Sequence, residues 1–155
     1  MAAVRPAQAG EAERLSALCV RSKAHWGYDA AFMALSAPSL RVKESDIVDG
    51  RVLVAVDAAG QPIGVASVVA DGSLADLDML FVDPPAIGQG AGRQLFGAAA
   101  DVARGLGARR LAILADPNAA PFYERMGARY LRQEPSDAVP GRTLPFYEYD
   151  LSNQD

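Results

Sequence analysis

Apolar positions along this chain change their period several times, and each change marks an element. From Ala9 to about Lys23, Ala12, Leu15, Leu18 and Cys19 recur at three- and four-residue spacing, the pattern of an amphipathic helix. Asp29 is placed to cap a second short helix carrying Phe32, Met33 and Leu35, and Pro38 limits its end. Val4-Arg5 begins a short first strand. Arg51 to Val56 and Ile63 to Ala70 read as strands joined by the turn-rich Asp57–Pro62, and Asp71-Gly72 turns the chain into a further strand, Leu74 to Val82. The helical period then returns. Leu95, Phe96, Ala99, Val102, Ala103 and Leu106 form one stripe over Gly90 to Leu106, closed by Gly107. A short buried strand (Arg110 to Ala115), a short helix (Ala119 to Met126, ended by Gly127) and two last strands (Tyr130 to Gln133, Phe146 to Leu151) complete the pass. Glu134 to Pro145 is polar and Pro-containing, hence a surface loop. Hairpin strands, then strand–helix alternation, then a final hairpin predict an α/β (α+β) fold: a mixed, mostly antiparallel sheet of about six to seven strands flanked by about four helices.

Composition narrows the functional classes. With 155 residues, half of them hydrophobic and 22% charged, the chain suits one domain spanning 1–155 with a real core. A net charge of −4 argues against nucleic acid as the main partner. One cysteine (Cys19) and one histidine (His25) exclude an intrachain disulfide and the usual zinc or iron sites, so no metal is expected. Cys19 lies on an apolar stripe and is read as a buried core residue. No stretch is long and apolar enough to span a membrane, and the N-terminus lacks a signal-peptide plan, so the expected location is cytoplasmic.

The candidate chemistry is concentrated in two segments. In the first, Leu77 to Leu95, the strand stops at Pro84-Pro85 and the turn Ile87-Gly88-Gln89-Gly90-Ala91-Gly92 opens a helix. Amides at such a helix start have no internal partner and can bind phosphate, and Arg93 is placed to add a charge-assisted contact. Taken alone, the segment is equally a flexible turn before an Ala-rich helix. It lacks the Lys-Ser/Thr ending of a P-loop, and it sits too late in the chain for a dinucleotide fingerprint. The second segment runs from Asp116-Pro117-Asn118 through Phe122-Tyr123 to Gly127-Ala128.

Together and in this order, the two segments resemble the GCN5-related N-acetyltransferase (GNAT) superfamily. Its Arg/Gln-x-x-Gly-x-Gly/Ala turn is similar to Ile87–Gly92, and its Asn-x-x-x-x-Phe-Tyr-x-x-x-Gly pattern is similar to Asn118–Gly127 with one residue fewer before Phe122. The likeness covers roughly residues 50 to 131 well and the N-terminal third loosely. Ile87 departs from the family, which usually has Arg or Gln there; Gln89 or Arg93 is the nearby substitute donor.

The resemblance implies an acetyl-CoA-dependent N-acetyltransferase acting on a small-molecule amine. Leu80, Phe81 and Val82 would lie beside the pantetheine arm and thioester. Ile87, Gly88, Gln89, Gly90, Ala91, Gly92 and Arg93 would hold the pyrophosphate. Asn118 would orient the arm or its loop, or simply cap a helix, with Phe122 beside it. Tyr123 would be the general acid, since a phenol with a reference pKa of about 10 stays protonated at neutral pH; otherwise it is a core aromatic. Asp76 and Asp78 share one face of their strand by alternation. They are candidate bases, acting directly or through water with Asp78 favoured, or else they line a solvated strand edge.

Ser22–Asp29 holds the only His and the only Trp. Its likeness to a branch of bacterial GNAT proteins makes His25, Trp26 and Tyr28 candidate acceptor-pocket residues; the alternative is a small satellite cluster with His25 capping a helix. The rival function is a CoA-binding sensor or partner-binding module that keeps the fold without turnover. The last strand, Leu144 to Leu151, suggests edge-to-edge pairing into a homodimer.

Overall fold

Val52-Leu-Val-Ala-Val56 is apolar at every position because it lies inside a sheet covered on both faces: Leu53 and Ala55 enter one core cluster, Val52 and Val54 the other. The computed structural model describes residues 3–152. The elements in chain order are β1 (Ala3–Pro6), α1 (Ala12–Ala24), α2 (Ala30–Ser36), α3 (Glu44–Val48), β2 (Val52–Val56), β3 (Pro62–Asp71), β4 (Leu74–Val82), α4 (Ala91–Gly105), β5 (Arg110–Leu114), α5 (Ala120–Arg125), β6 (Arg129–Pro135) and β7 (Thr143–Asp150). Short 3-10 turns, each holding a proline, occupy Ala37–Leu40, Pro84–Ala86 and Pro117–Ala119. The seven strands form one sheet in the order β1-β2-β3-β4-β5-β7-β6, antiparallel except for β4 and β5. This is the mostly antiparallel, helix-flanked sheet that the sequence predicts.

Two cores hold it together. Leu95, Phe96, Ala99 and Ala103 of α4 pack on Ala66, Val68, Leu77 and Leu111 of one sheet face. Leu15, Leu18 and Cys19 of α1 pack with Leu40, Val42 and Ile47 on Val54 and Val65 of the other. Burial pushes the Cys19 thiol up to about 12, so it is an inert core group. Gly64 allows α4 to approach, since a Cβ there would meet Leu95 Cδ1 at 2.7 Å. Asp29 caps α2 as predicted, accepting from Phe32 N at 2.8 Å. Gly107 ends α4 at φ +90°, while Ala108 N reaches back to Ala103 O at 3.0 Å.

Two expectations need correction. Helix α3 is unpredicted; it is one short turn with a single buried residue, Ile47, and offers no periodic stripe to read. The homodimer expectation treated the last strand as a free edge, but β7 is hydrogen-bonded to β5 on one side and β6 on the other. The outer strands are β1 and β6, so the pairing route read from the sequence does not exist.

Candidate active site

The site begins where β4 and β5 part. Their parallel pairing covers only Leu74↔Arg110, Ala75↔Leu111 and Asp76↔Ala112. Beyond it β4 remains zipped to β3 as far as Val82, while β5 turns its other side to β7. Alternate N–H and C=O groups of β4 from Leu77 to Val82 therefore face an opening rather than a neighbouring strand. A bulge adds a twist here: Ser67 opposes Met79 and Val68 opposes Leu77, leaving Asp78 as the extra residue. Past the bulge, Leu80 and Val82 pack on the α4 side, whereas Met79 and Phe81 pack on the α1 side.

At one end of the opening lies the glycine turn. Gly88 and Gly90 have φ +89° and +87°, conformations an L side chain rarely adopts. Gly90 caps α4 without any side-chain hydrogen bond, and the first turn carries no acidic residue. The amides of Ala91, Gly92 and Arg93 thus begin a 15-residue helix with no internal acceptor and no competing anion. Gly92 packs beneath Phe122, whose ring a Cβ would meet at 3.3 Å. A bare backbone cradle beside an open strand edge fits a pyrophosphate and an extended amide-bearing arm. Ile87 is 45% exposed and has no donor to offer. Gln89 spends its side-chain amide on Pro85 O (3.3 Å), leaving Arg93 as the exposed cation of the turn.

The other side of the opening is a cleft of about 750 Å³ that includes Asp76, Asp78, Met79 and Phe81 of β4, Ala112 and Leu114 of β5, and the β6–β7 loop. Asp76 and Asp78 share this face, as alternation predicts. Burial, then the neighbouring Asp78 and Asp71 charges, push the Asp76 carboxyl up. Burial and Asp46 push Asp78 up, with Lys43 opposing.

Tyr123 sits in the core under α4, packed against Phe122 and Phe96 and only 6% exposed. Its place is set by the end of α5, where Gly127 takes φ +98° and Ala128 N donates to Tyr123 O at 3.0 Å. Burial above all, and the nearby Asp116 carboxylate, raise its phenol well above the ordinary value. Among the described residues its hydroxyl has no hydrogen-bond partner.

Asp116, just beyond β5, is the centre of a polar knot. It accepts from Lys23 Nζ (2.5 Å), the Tyr28 hydroxyl (2.8 Å) and Asn118 N (2.8 Å). Asn118 Nδ2 donates to Asp116 Oδ1 (3.0 Å) and to Tyr28 Oη (3.1 Å), and Arg142 donates to the same oxygen (2.9 Å). Tyr28 stacks on Phe32 at 4.0 Å with Arg142 over both rings. Burial pushes the Asp116 carboxyl up, but Lys23, the Asn118 amide and Tyr28 outweigh it and hold it below the ordinary range.

The knot revises three readings. Asn118 does not cap a helix; Asp116 caps the 3-10 turn, and the Asn118 amide is committed to Asp116 and Tyr28. Tyr28 does not itself line the cleft but hydrogen-bonds Asp116 and Arg142, and Arg142 and Lys23 do line it. His25 and Trp26 lie outside the cleft lining: both are exposed, paired edge to face at 5.4 Å, with His25 at the C-terminal end of α1. Arg142, Arg41 and Lys43 went unnoticed in the sequence. Arg142 lies in what reads as a plain surface loop, and nothing local marks it as reaching Tyr28, 114 positions away.

A family model described as an acetyltransferase (GNAT) domain matches residues 30–138. Among solved structures the chain is similar to a GCN5-related N-acetyltransferase from Rhodopseudomonas palustris (24% identity, TM-score 0.77, 96% of this chain and 94% of that one). It is also similar to the PaiA N-acetyltransferase from Thermoplasma acidophilum in complex with coenzyme A (14%, 0.78, 97% and 99%). A third likeness is to yncA from Salmonella typhimurium with its cofactor acetyl-CoA (21%, 0.71, 100% and 96%). No curated protein matches the sequence. The structural likenesses carry the fold, and the matched domain carries the family: the chain belongs to the GNAT acetyltransferases, enzymes whose acyl donor is acetyl-CoA.

Proposed function

We propose that the chain acetylates a primary amine of a small-molecule acceptor by direct attack in a ternary complex, with Tyr123 as general acid and Asp78, assisted by Asp76, as base. The observation that carries this reading is the parting of β4 from β5. It sets an unpaired strand edge between a backbone anion cradle and a cleft holding two carboxylates. The cleft volume is in the range of small-ligand sites.

Acetyl-CoA, when bound, supplies the thioester acyl group and a thiolate leaving group. The amides of Ala91, Gly92 and Arg93 hold the pyrophosphate, with Gly88 and Gly90 keeping the turn open and the exposed Arg93 adding charge. The open edge of β4 around Leu80, Phe81 and Val82 donates backbone N–H groups, the fixed-dipole stabilisation that acyl transfer needs. Asp78 and Asp76, raised by burial, take the proton that the amine loses. Tyr123, kept protonated by burial, donates to the departing sulfur. The knot around Asp116 joins the end of α1 to the β5–α5 and β6–β7 loops and so holds the wall of the cleft.

The test is steady-state thiol release against an amine panel, with Tyr123→Phe beside the parent. The variant is expected to lose about 10²- to 10⁴-fold in kcat while keeping its stabilisation by CoA; an unchanged kcat removes Tyr123 from the chemistry. In the parent, kcat/KM is expected to rise with pH through an apparent pKa above the ordinary aspartate value of about 3.9. That limb is absent in Asp76→Asn/Asp78→Asn if these carboxylates are the base, and persists unchanged if they are not.

A further inference from the structure

The cleft is lined by both signs of charge, and its cations are not equivalent. Five basic side chains line it: Lys23, Arg41, Lys43, Arg132 and Arg142. Three are already engaged. Lys23 pairs with Asp116, Arg142 holds Tyr28, and Arg132 pairs with Glu134 while lying over Phe146 at 4.7 Å. Arg41 and Lys43 have no carboxylate or carbonyl partner among the described residues.

Their placement follows from backbone geometry. Arg41 and Lys43 are extended (φ −88°, ψ 121° and φ −102°, ψ 141°), with Val42 between them. Val42 is 4% exposed in the α1-side core, and its amide donates to Ser16 Oγ at 2.8 Å. With the middle side chain drawn inward, alternation turns the two flanking cations outward together. That outward side is the cleft, whose lining also includes the Asp76 and Asp78 carboxylates of β4. Two unpaired long cations on an internally strapped segment, sharing a small-molecule cleft with two carboxylates, match a ligand that carries both signs of charge.

We propose that the acceptor is a zwitterion of amino-acid type, its amine directed to Asp76 and Asp78 and its carboxylate held by Arg41 and Lys43. The assignment rests on the acetyltransferase reading above and adds the chemical class of its acceptor. An amine without an anionic group brings a further positive charge into the cleft beside Arg41 and Lys43 and compensates neither, so that complex is disfavoured relative to one with a zwitterion. The Lys43 charge also acts on Asp78, where it opposes the rise of that carboxyl.

The experiment uses matched acceptor pairs: free amino acids against their carboxamides and their decarboxylated amines, which keep the amine and remove the negative charge. Thiol release with saturating acetyl-CoA is expected to favour the free acid by about tenfold or more in kcat/KM, about what one charge-assisted hydrogen bond contributes. Arg41→Gln/Lys43→Gln is expected to collapse that ratio toward one, mainly through KM for the acid, and Arg41→Lys/Lys43→Arg to restore most of it. Calorimetric titration of the same pairs into CoA-saturated protein reads the preference without turnover.

Equal or better use of the carboxamides and decarboxylated amines, or a ratio that survives the Gln double variant, overturns the zwitterion assignment and leaves the acetyltransferase reading standing. Absence of thiol release with every amine, despite CoA binding, overturns that reading instead. Calorimetry then still decides the ligand class, and binding without carboxylate preference overturns it.

Discussion

Asp116 shows how much one side chain can organise. Its oxygens receive an ammonium, a phenol and a backbone amide, and its carboxyl is 13% exposed. Its native pKa lies below the unfolded value, so its stabilisation is present above about pH 3.9 and fades as pH falls through the native pKa. Asp116→Asn is therefore expected to cost about 1–3 kcal/mol at pH 7, mostly by stranding Lys23 and loosening Arg142. Denaturant titrations of parent and variant should begin to converge as pH falls below about 3.9; a gap of constant size would mean that the charge is not what holds the knot. Asp76 and Asp78 carry the opposite sign. Their carboxyls are raised, so ionisation above the unfolded pKa works against the fold, a cost set first by burial and then by neighbouring carboxylates.

The turn and helix around residue 90 divide their work between backbone and side chains. α4 owes its seat to Leu95, Phe96, Ala99 and Ala103, and its anion-binding end to glycines that expose amides. Gly90→Ala would force an L residue to φ +87°, which costs about 1–2 kcal/mol and favours a different backbone course for the cradle, although the methyl itself meets open space. It is expected to weaken CoA binding by calorimetry at least tenfold while leaving α4 formed by circular dichroism. Retained affinity would place phosphate binding elsewhere. The Ile87 departure fits this division, because the turn's donors are mostly backbone groups whose presence does not depend on side-chain identity.

Across the whole molecule, the donor cradle, the open strand edge and the two-signed cleft follow one line through the parting of β4 and β5. Ligand at that junction touches both halves of the sheet, so it should stabilise the fold globally. Acetyl-CoA at about 100 times its Kd adds roughly 2.7 kcal/mol, which for a chain of this length raises Tm by about 5–10 °C; AMP at the same concentration is expected to add much less. Equal shifts with both would mean that only the nucleotide end is recognised.

Most elements were legible from the pattern of side chains alone. A stripe such as Leu95–Ala99–Ala103, a cap such as Asp29 or a stop such as Gly107 acts within a few residues of itself, and the two motifs carried the family because their spacing is local too. What was not legible depends on which distant segments meet. Asp76 and Asp78 announced a shared face, but whether that face met water or a cleft depended on β5 leaving β4 after residue 112. Tyr28 and Asn118 were noticed singly, yet their partner Asp116 and the far Arg142 are joined only by folding. His25 and Trp26 stood out for their rarity, which says nothing about position, and they lie outside the cleft. Arg41 and Lys43 looked like ordinary surface charge until Val42 turned inward between them. The periodicity of a chain encodes its local conformation and its buried faces; the pairing of charges across a cleft is long-range, and it arises only when the sheet order is set.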